Sequence, residues 1–285
     1  DSIARSRLVN PLLNAVVIDS FDQAVSEGKG DLAGPFAGVP TFFKDNEQVY
    51  GLPTLRGSRA IHSEPSGVSS ALVSMFGELG MVSLGKSTMP EFGLTASTEP
   101  LLSGATCNPW DISRTPGGSS GGAAALVASG VVPLAHGNDG GGSIRVPAAC
   151  CGIVGFKPTR DRLGVLPTSK MVPIKLFTQG VLTRTVRDTA VFYEEAEKVF
   201  KNTALPEIGT VPTAPSKPLN IACISNLPGK AHNLDPDVYD ALLKTASLCT
   251  ELGHHVQQID NPFPVKLFHD FAIYWAMLGF FSKFY

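Results

Sequence analysis

Val131-Val132-Pro133-Leu134-Ala135-His136-Gly137-Asn138-Asp139-Gly140-Gly141-Gly142-Ser143-Ile144-Arg145 is the stretch on which the fold turns. Its apolar start, Val131 to Ala135, predicts a strand, and a helix is predicted from Ser143. Three glycines and a serine join the two. A strand, a tight glycine loop and a helix N-terminus in that order let the amides of Gly140, Gly141, Gly142 and Ser143 converge on one anionic point. Glycine at these positions lets a ligand approach the backbone. Taken alone, the segment fits an oxyanion site, a phosphate-binding loop or a plain turn.

Working outward, the same alternation repeats. Gly121 to Ser129 reads as a small-residue helix closed by Gly130, and Ile153 to Phe156 as a strand. Upstream, Val39 to Phe43 is a predicted strand that delivers Lys44 at its end. Val68 to Leu79 has helical apolar spacing with Gly80 as its stop, followed by a strand over Met81 to Leu84. Downstream, Leu219 to Ile224 and His255 to Ile259 read as strands around a helix over Asp235 to Leu252, with Asp235 as N-cap and Gly253 as stop. The stretch 205–218, rich in Pro and Thr, reads as a loop excursion. Helices alternating with short apolar strands predict an α/β fold in α/β/α layers, in one domain over 1–285.

Composition narrows the class. Apolar residues make up 43% and charged residues 17% of 285, which suits a sizeable core and excludes a disordered chain. A formal net charge of −2 gives no electrostatic footprint for nucleic acid or an anionic membrane. The five cysteines include no CxxC pair, so the expected setting is a reducing, cytoplasmic one without a disulfide framework or zinc site. No signal peptide and no apolar run of membrane-spanning length is visible. The absent initiator Met and the aromatic run from Phe271 to Tyr285 create the expectation of a piece of a longer protein.

A second glycine- and serine-rich segment, Gly117-Gly118-Ser119-Ser120-Gly121-Gly122, lies upstream. It fits the G-x-S-x-G nucleophile elbow, but that motif must follow a strand. Here Asn108 to Pro116 precedes it, with two prolines and no alternation. Gly80 to Ser87 fits the P-loop pattern, yet bulky strand-like residues fill the turn and Pro90 interrupts any following helix. None of the six histidines has metal-binding spacing. His136, beside the glycine loop, reads as a satisfied buried histidine. What remains is two serines and a lysine, a set that can activate a serine nucleophile without histidine.

These segments resemble the amidase signature family. The resemblance is carried by Pro116 to Gly122, Gly137 to Pro147, Cys151 to Thr159, Gly38-Val39-Pro40 with Lys44-Asp45, Gly85 to Phe92, Thr106 to Trp110 and Thr183 to Asp188. It fades after about residue 200. It implies an α/β/α fold on a mixed, mainly parallel central sheet. It implies Ser143 as the acylated nucleophile, Ser119 as a bridging serine in a cis peptide, and Lys44 as the buried base. Gly140, Gly141 and Gly142 would form the oxyanion site, with Ser120, Asp139 and Arg145 in support. Gly140 departs from the Thr common in the family at that place. The implied activity is hydrolysis of a carboxylic amide through an acyl-enzyme, on a small-molecule substrate, with no cofactor or metal and with a homodimer as an open expectation. One alternative is the glutamine-hydrolysing A subunit of an aminoacyl-tRNA amidotransferase. That subunit usually has Gln where Val146 stands, and the Val132 to Pro147 segment looks closer to broad amidases and nylon-oligomer cyclic-dimer hydrolases. The other alternative is a non-catalytic binding protein on the same fold.

Overall fold

A computed structural model describes residues 1–285 apart from 63, 165–174, 212–216, 227–233 and 283–285. The chain divides into two compact units, Asp1–Val211 and Pro212–Tyr285. Part of the predicted 205–218 excursion falls outside the described residues.

The first unit contains helix α1 (Ser2–Leu13), strand β1 (Val16–Asp19), α2 (Phe21–Glu27), β2 (Pro40–Lys44), α3 (Ala71–Glu78), β3 (Val82–Ser87), α4 (Gly121–Ala128), β4 (Leu134–Asp139), α5 (Arg145–Cys151), β5 (Val154–Gly155), β6 (Thr178–Thr183) and α6 (Val186–Val199). Its strands pair in the orders β1-β3-β2 and β4-β6-β5. The β2 strand lies beside β4, where Thr41 Oγ1 donates to Leu134 O and the Lys44 amide donates to His136 Nδ1.

Side-chain alternation along these strands explains the layers. Phe42, Ala135 and Leu182 face one core with the buried α4 residues Ala123 to Val127. Their neighbours Phe43, Leu134 and Val181 face the other core, with Leu72, Val73, Met75 and Phe76 of α3 and Phe192, Tyr193 and Ala196 of α6. Helices therefore cover both faces, as expected of an α/β fold. The α4 layer sits very close to the strands. A Cβ on Gly122 would come within 2.4 Å of Thr88 Oγ1 and 2.7 Å of Ala15 O, so only glycine fits there.

The second unit contains β7 (Asn220–Cys223), α7 (Pro236–Glu251), β8 (His255–Gln258) and α8 (Val265–Ser282). Asp235 caps α7 by accepting the Asp237 amide at 2.9 Å, and β7 runs parallel to β8.

Several boundaries differ from the sequence reading for physical reasons. The strand after α4 starts at Leu134 rather than Val131, and it continues through the polar residues His136, Asn138 and Asp139. All six of its residues are buried against β6, so apolar pattern is no guide there. Likewise β3 extends past Leu84 to Ser87 because buried Lys86 is paired with Asp45 at 3.2 Å. The α3 helix starts at Ala71, where Ser70 Oγ accepts the Val73 amide as N-cap. The helix after the glycine loop begins at Arg145, two residues after Ser143. Among the described residues the ladders are mixed, with β2–β3 and β7–β8 parallel and β1–β3, β4–β6 and β5–β6 antiparallel.

Candidate active site

Two strand ends and two loops build the site. Lys44 ends β2, and it is wholly buried. Its ammonium donates to Ser119 Oγ at 2.7 Å and to Asn138 Oδ1 at 2.7 Å. Burial pushes the Lys44 pKa from 10.5 down to about 7, against the pull of Asp139 and Glu47. Near neutrality a large share of this lysine is therefore an uncharged amine with a free lone pair.

Ser119 stands in the loop that enters α4, after a cis Gly118–Ser119 peptide. The next residue ties the two glycine-rich segments together. The Ser120 amide donates to Ser143 O at 3.2 Å, and Ser120 Oγ donates to Asn138 O at 3.4 Å. Ser143 itself is 8% exposed, at the rim of this buried cluster.

Asp139 organises the loop that carries Ser143. One carboxylate oxygen accepts the Gly142 amide at 2.7 Å, and the other accepts the Ile144 amide at 3.2 Å. Arg145 completes a bidentate pair, with Nε to Oδ2 at 2.9 Å and Nη2 to Oδ1 at 3.0 Å. Burial alone would raise the Asp139 carboxyl, but the Arg145, Gly142 and Ile144 bonds outweigh it and hold the group below its usual value. Gly142 has a φ of +125°, a backbone that side chains rarely adopt.

One expected role changes with this geometry. The Gly142 amide was expected among the oxyanion donors, but Asp139 already occupies it. The amides of Gly140, Gly141 and Ser143 have no acceptor among the described residues. The P-loop alternative also has no room. The Lys86 ammonium is buried within β3 against Asp45, Pro53 O and Thr54 Oγ1.

The structure adds Asn138, Gln179 and Glu47, which sequence reasoning left out, and it places His136 as the satisfied buried histidine that was expected. Asn138 orients the lysine, and its Nδ2 is buried without an acceptor among the described residues. His136 is buried and neutral, since burial pushes its pKa from 6.5 to about 3. It contacts Gln179, whose amide donates in turn to Glu47. Asn138 was signalled only by its place beside Asp139 in the glycine segment, and Gln179 and Glu47 by nothing local.

The sequence model of the family described as Amidase matches residues 1–285. "Putative amidase AmiC" of Mycobacterium tuberculosis strain H37Rv is 44% identical over 282 residues, covering 98% of this chain and 59% of that protein. The 6-aminohexanoate-cyclic-dimer hydrolase of Paenarthrobacter ureafaciens is 37% identical, covering 90% of this chain and 54% of its own length. A solved structure of 6-aminohexanoate cyclic dimer hydrolase superposes with a TM-score of 0.80 at 34% identity, over 90% of this chain and 56% of that one. The chain thus spans between half and two thirds of the length of these relatives. A match along the whole chain, with a relative 44% identical, settles its kinship: the chain belongs to the amidase signature family.

Proposed function

We propose that the protein hydrolyses the C–N bond of a carboxylic amide through an acyl-enzyme on Ser143. The observation that carries this reading is the buried 2.7 Å bond between Lys44 Nζ and Ser119 Oγ, made by a lysine whose pKa is near 7. An ammonium can only donate, whereas a neutral amine can donate to Asn138 Oδ1 and turn its lone pair to the Ser119 hydroxyl. Lys44 then accepts the Ser119 proton while Ser119 accepts that of Ser143, and the Ser143 oxygen attacks the carbonyl carbon. The proton returns through Ser119 to the leaving amine as the C–N bond breaks. A water activated by the same pair releases the acid. The developing oxyanion faces the Gly140, Gly141 and Ser143 amides, held in place by the Asp139–Arg145 pair.

The substrate class is a small-molecule amide. Its acyl and amine parts are left open by the residues around the serines. The cyclic-dimer hydrolase kinship supports including cyclic and linear amides in a first screen.

A fluorophosphonate probe on the full-length protein, with the adduct located by mass spectrometry, tests the reading. Label is expected on Ser143, and its loss in Ser143→Ala and Lys44→Ala. Label on Ser119 or Ser120 would sink this assignment, and absence of any label would support a non-catalytic protein.

A further inference from the structure

Behind Lys44, on the face of the sheet away from α4, lies a chain of buried polar groups that the proposed mechanism does not use. The Lys44 backbone amide donates to His136 Nδ1 at 3.2 Å. His136 Nε2 lies 2.9 Å from Gln179 Oε1. Gln179 Nε2 donates to Glu47 Oε1 at 2.7 Å, and Ser70 Oγ donates to the other oxygen at 2.8 Å. His136, Gln179, Glu47 and Ser70 are all buried.

The polarity of this chain is fixed at its first link. A backbone amide only donates, so His136 Nδ1 must be the lone-pair nitrogen and Nε2 must carry the hydrogen. That hydrogen needs an acceptor, which turns Gln179 Oε1 toward His136 and its Nε2 toward Glu47. Ser70 Oγ already accepts the Val73 amide and has its own hydrogen to give. Both Glu47 oxygens therefore accept, which is the bonding of a carboxylate. Every link points the same way, from the strand that carries Lys44 to one buried acid.

We propose that Glu47, acting through Gln179 and His136, is a positioning residue for Lys44. This rests on Lys44 being the base of the reading above. The relay ties the end of β2 to β4 and β6, so the ammonium that leaves β2 meets Ser119 and Asn138 without searching. Glu47 is also three residues from Lys44, and its amide donates to Lys44 O at 3.0 Å. Burial pushes the Glu47 carboxyl up, against the Ser70 and Gln179 bonds and the Lys86 and Lys44 charges; in its ionised form it favours the charged lysine, opposing the burial that favours the neutral amine. The charged groups bearing on Glu47 and its partners are Lys44 on β2, Lys86 on β3, Asp45 paired with Lys86, and Arg56 in the loop after β2. Asp139 on β4 bears on Lys44.

The test compares wild type, Glu47→Gln and Gln179→Leu in the full-length protein, reading the pH dependence of fluorophosphonate labelling and the split of kcat from KM on any amide turned over. Glu47→Gln removes the charge at constant shape, so the acid limb should move down by about half a pH unit or more. Gln179→Leu should lower kcat about tenfold with KM unchanged, because the relay touches no substrate. Acid limbs and kcat values superimposable on wild type in both variants would overturn the proposal. Two measurements need no activity, and the first needs no variant. Nitrogen NMR of wild-type His136 should find Nδ1 unprotonated and Nε2 protonated, and the opposite tautomer would overturn the relay. NMR titration of the Lys44 side chain, in wild type and Glu47→Gln, reads the electrostatic part even in a protein that the probe fails to label. Failure of labelling in wild type therefore counts against the amidase reading, and a wrong tautomer counts against the relay.

Discussion

Lys44 and Ser119 are 75 positions apart, and the lysine ammonium donates to the serine hydroxyl at 2.7 Å inside the protein. The two are brought together because Phe42 and Lys44 share the α4 face of β2, while Ser119 stands just before α4. The same layer that buries the apolar helix thus buries the ion, and burial is what brings the lysine toward neutrality.

The rate should follow that neutrality. With the Lys44 pKa near 7, kcat/KM for an amide should fall about tenfold per pH unit below 7 and level off above it. Lys44→Arg keeps a charge that cannot be given up, and it should lose about 10³-fold or more. A flat profile from pH 5 to 8 would remove Lys44 from the role of base.

Asn138 should tune the same limb. Asn138→Asp places a carboxylate where Oδ1 now accepts from Lys44, so it favours the ammonium and should move the acid limb to higher pH. Asn138→Leu keeps the bulk, leaves the lone pair unaimed, and should lower kcat at every pH. The pH–rate profiles of the two variants separate charge from orientation, and a downward move in Asn138→Asp would contradict the geometry.

The Asp139–Arg145 pair is unequal, which predicts unequal variants. Asp139 is buried and takes the Gly142, Ile144 and Arg145 amides, whereas the Arg145 side chain is 52% exposed. Asp139→Asn should release the loop and cost about 10²-fold in kcat, as loss of an oxyanion donor does. It also removes an anion that favours charged Lys44, so its acid limb should move down. Arg145→Ala leaves the Gly142 and Ile144 bonds in place and should cost less than about tenfold. Equal losses in the two variants would show that the exposed guanidinium holds the loop as much as the carboxylate does.

The layering was legible in the sequence, and the candidate site was read from residue type, for different reasons. Apolar runs and glycine stops located β2, α3, α4, α7, β7 and β8 to within a few residues, because β2, α3 and α4 bury apolar residues and α7 is bounded by the Asp235 cap and the Gly253 stop. The reading stopped short where strands bury polar groups. His136, Asn138 and Asp139 on β4, and Lys86 on β3, look like loop by hydropathy and are strand by pairing. Glycine and serine clustering drew attention to Ser119 and Ser143. It gave no sign that Asp139 would take the Gly142 amide. Gln179 and Glu47 are 132 positions apart and meet only through tertiary pairing.

His136 gives a prediction about stability. Burial holds its folded pKa near 3, whereas an exposed imidazole titrates at 6.5. Between those values the unfolded chain binds one more proton than the folded one, so stability rises with pH across this window. Stability should therefore begin to fall as pH drops through 6.5, and this contribution should stop falling near pH 3. The slope from this group is at most about 1.4 kcal/mol per pH unit. His136→Gln has nothing to titrate, so its urea midpoint should change less than that of wild type between pH 6.5 and 4. The variant should be less stable at pH 7, where the lost ring leaves Phe43 and Phe76 poorly packed, and the gap should narrow on acidification. Parallel midpoint curves across that range would mean that the imidazole takes up its proton inside the fold, and the neutral His136 on which the Lys44 amide depends would have to be abandoned.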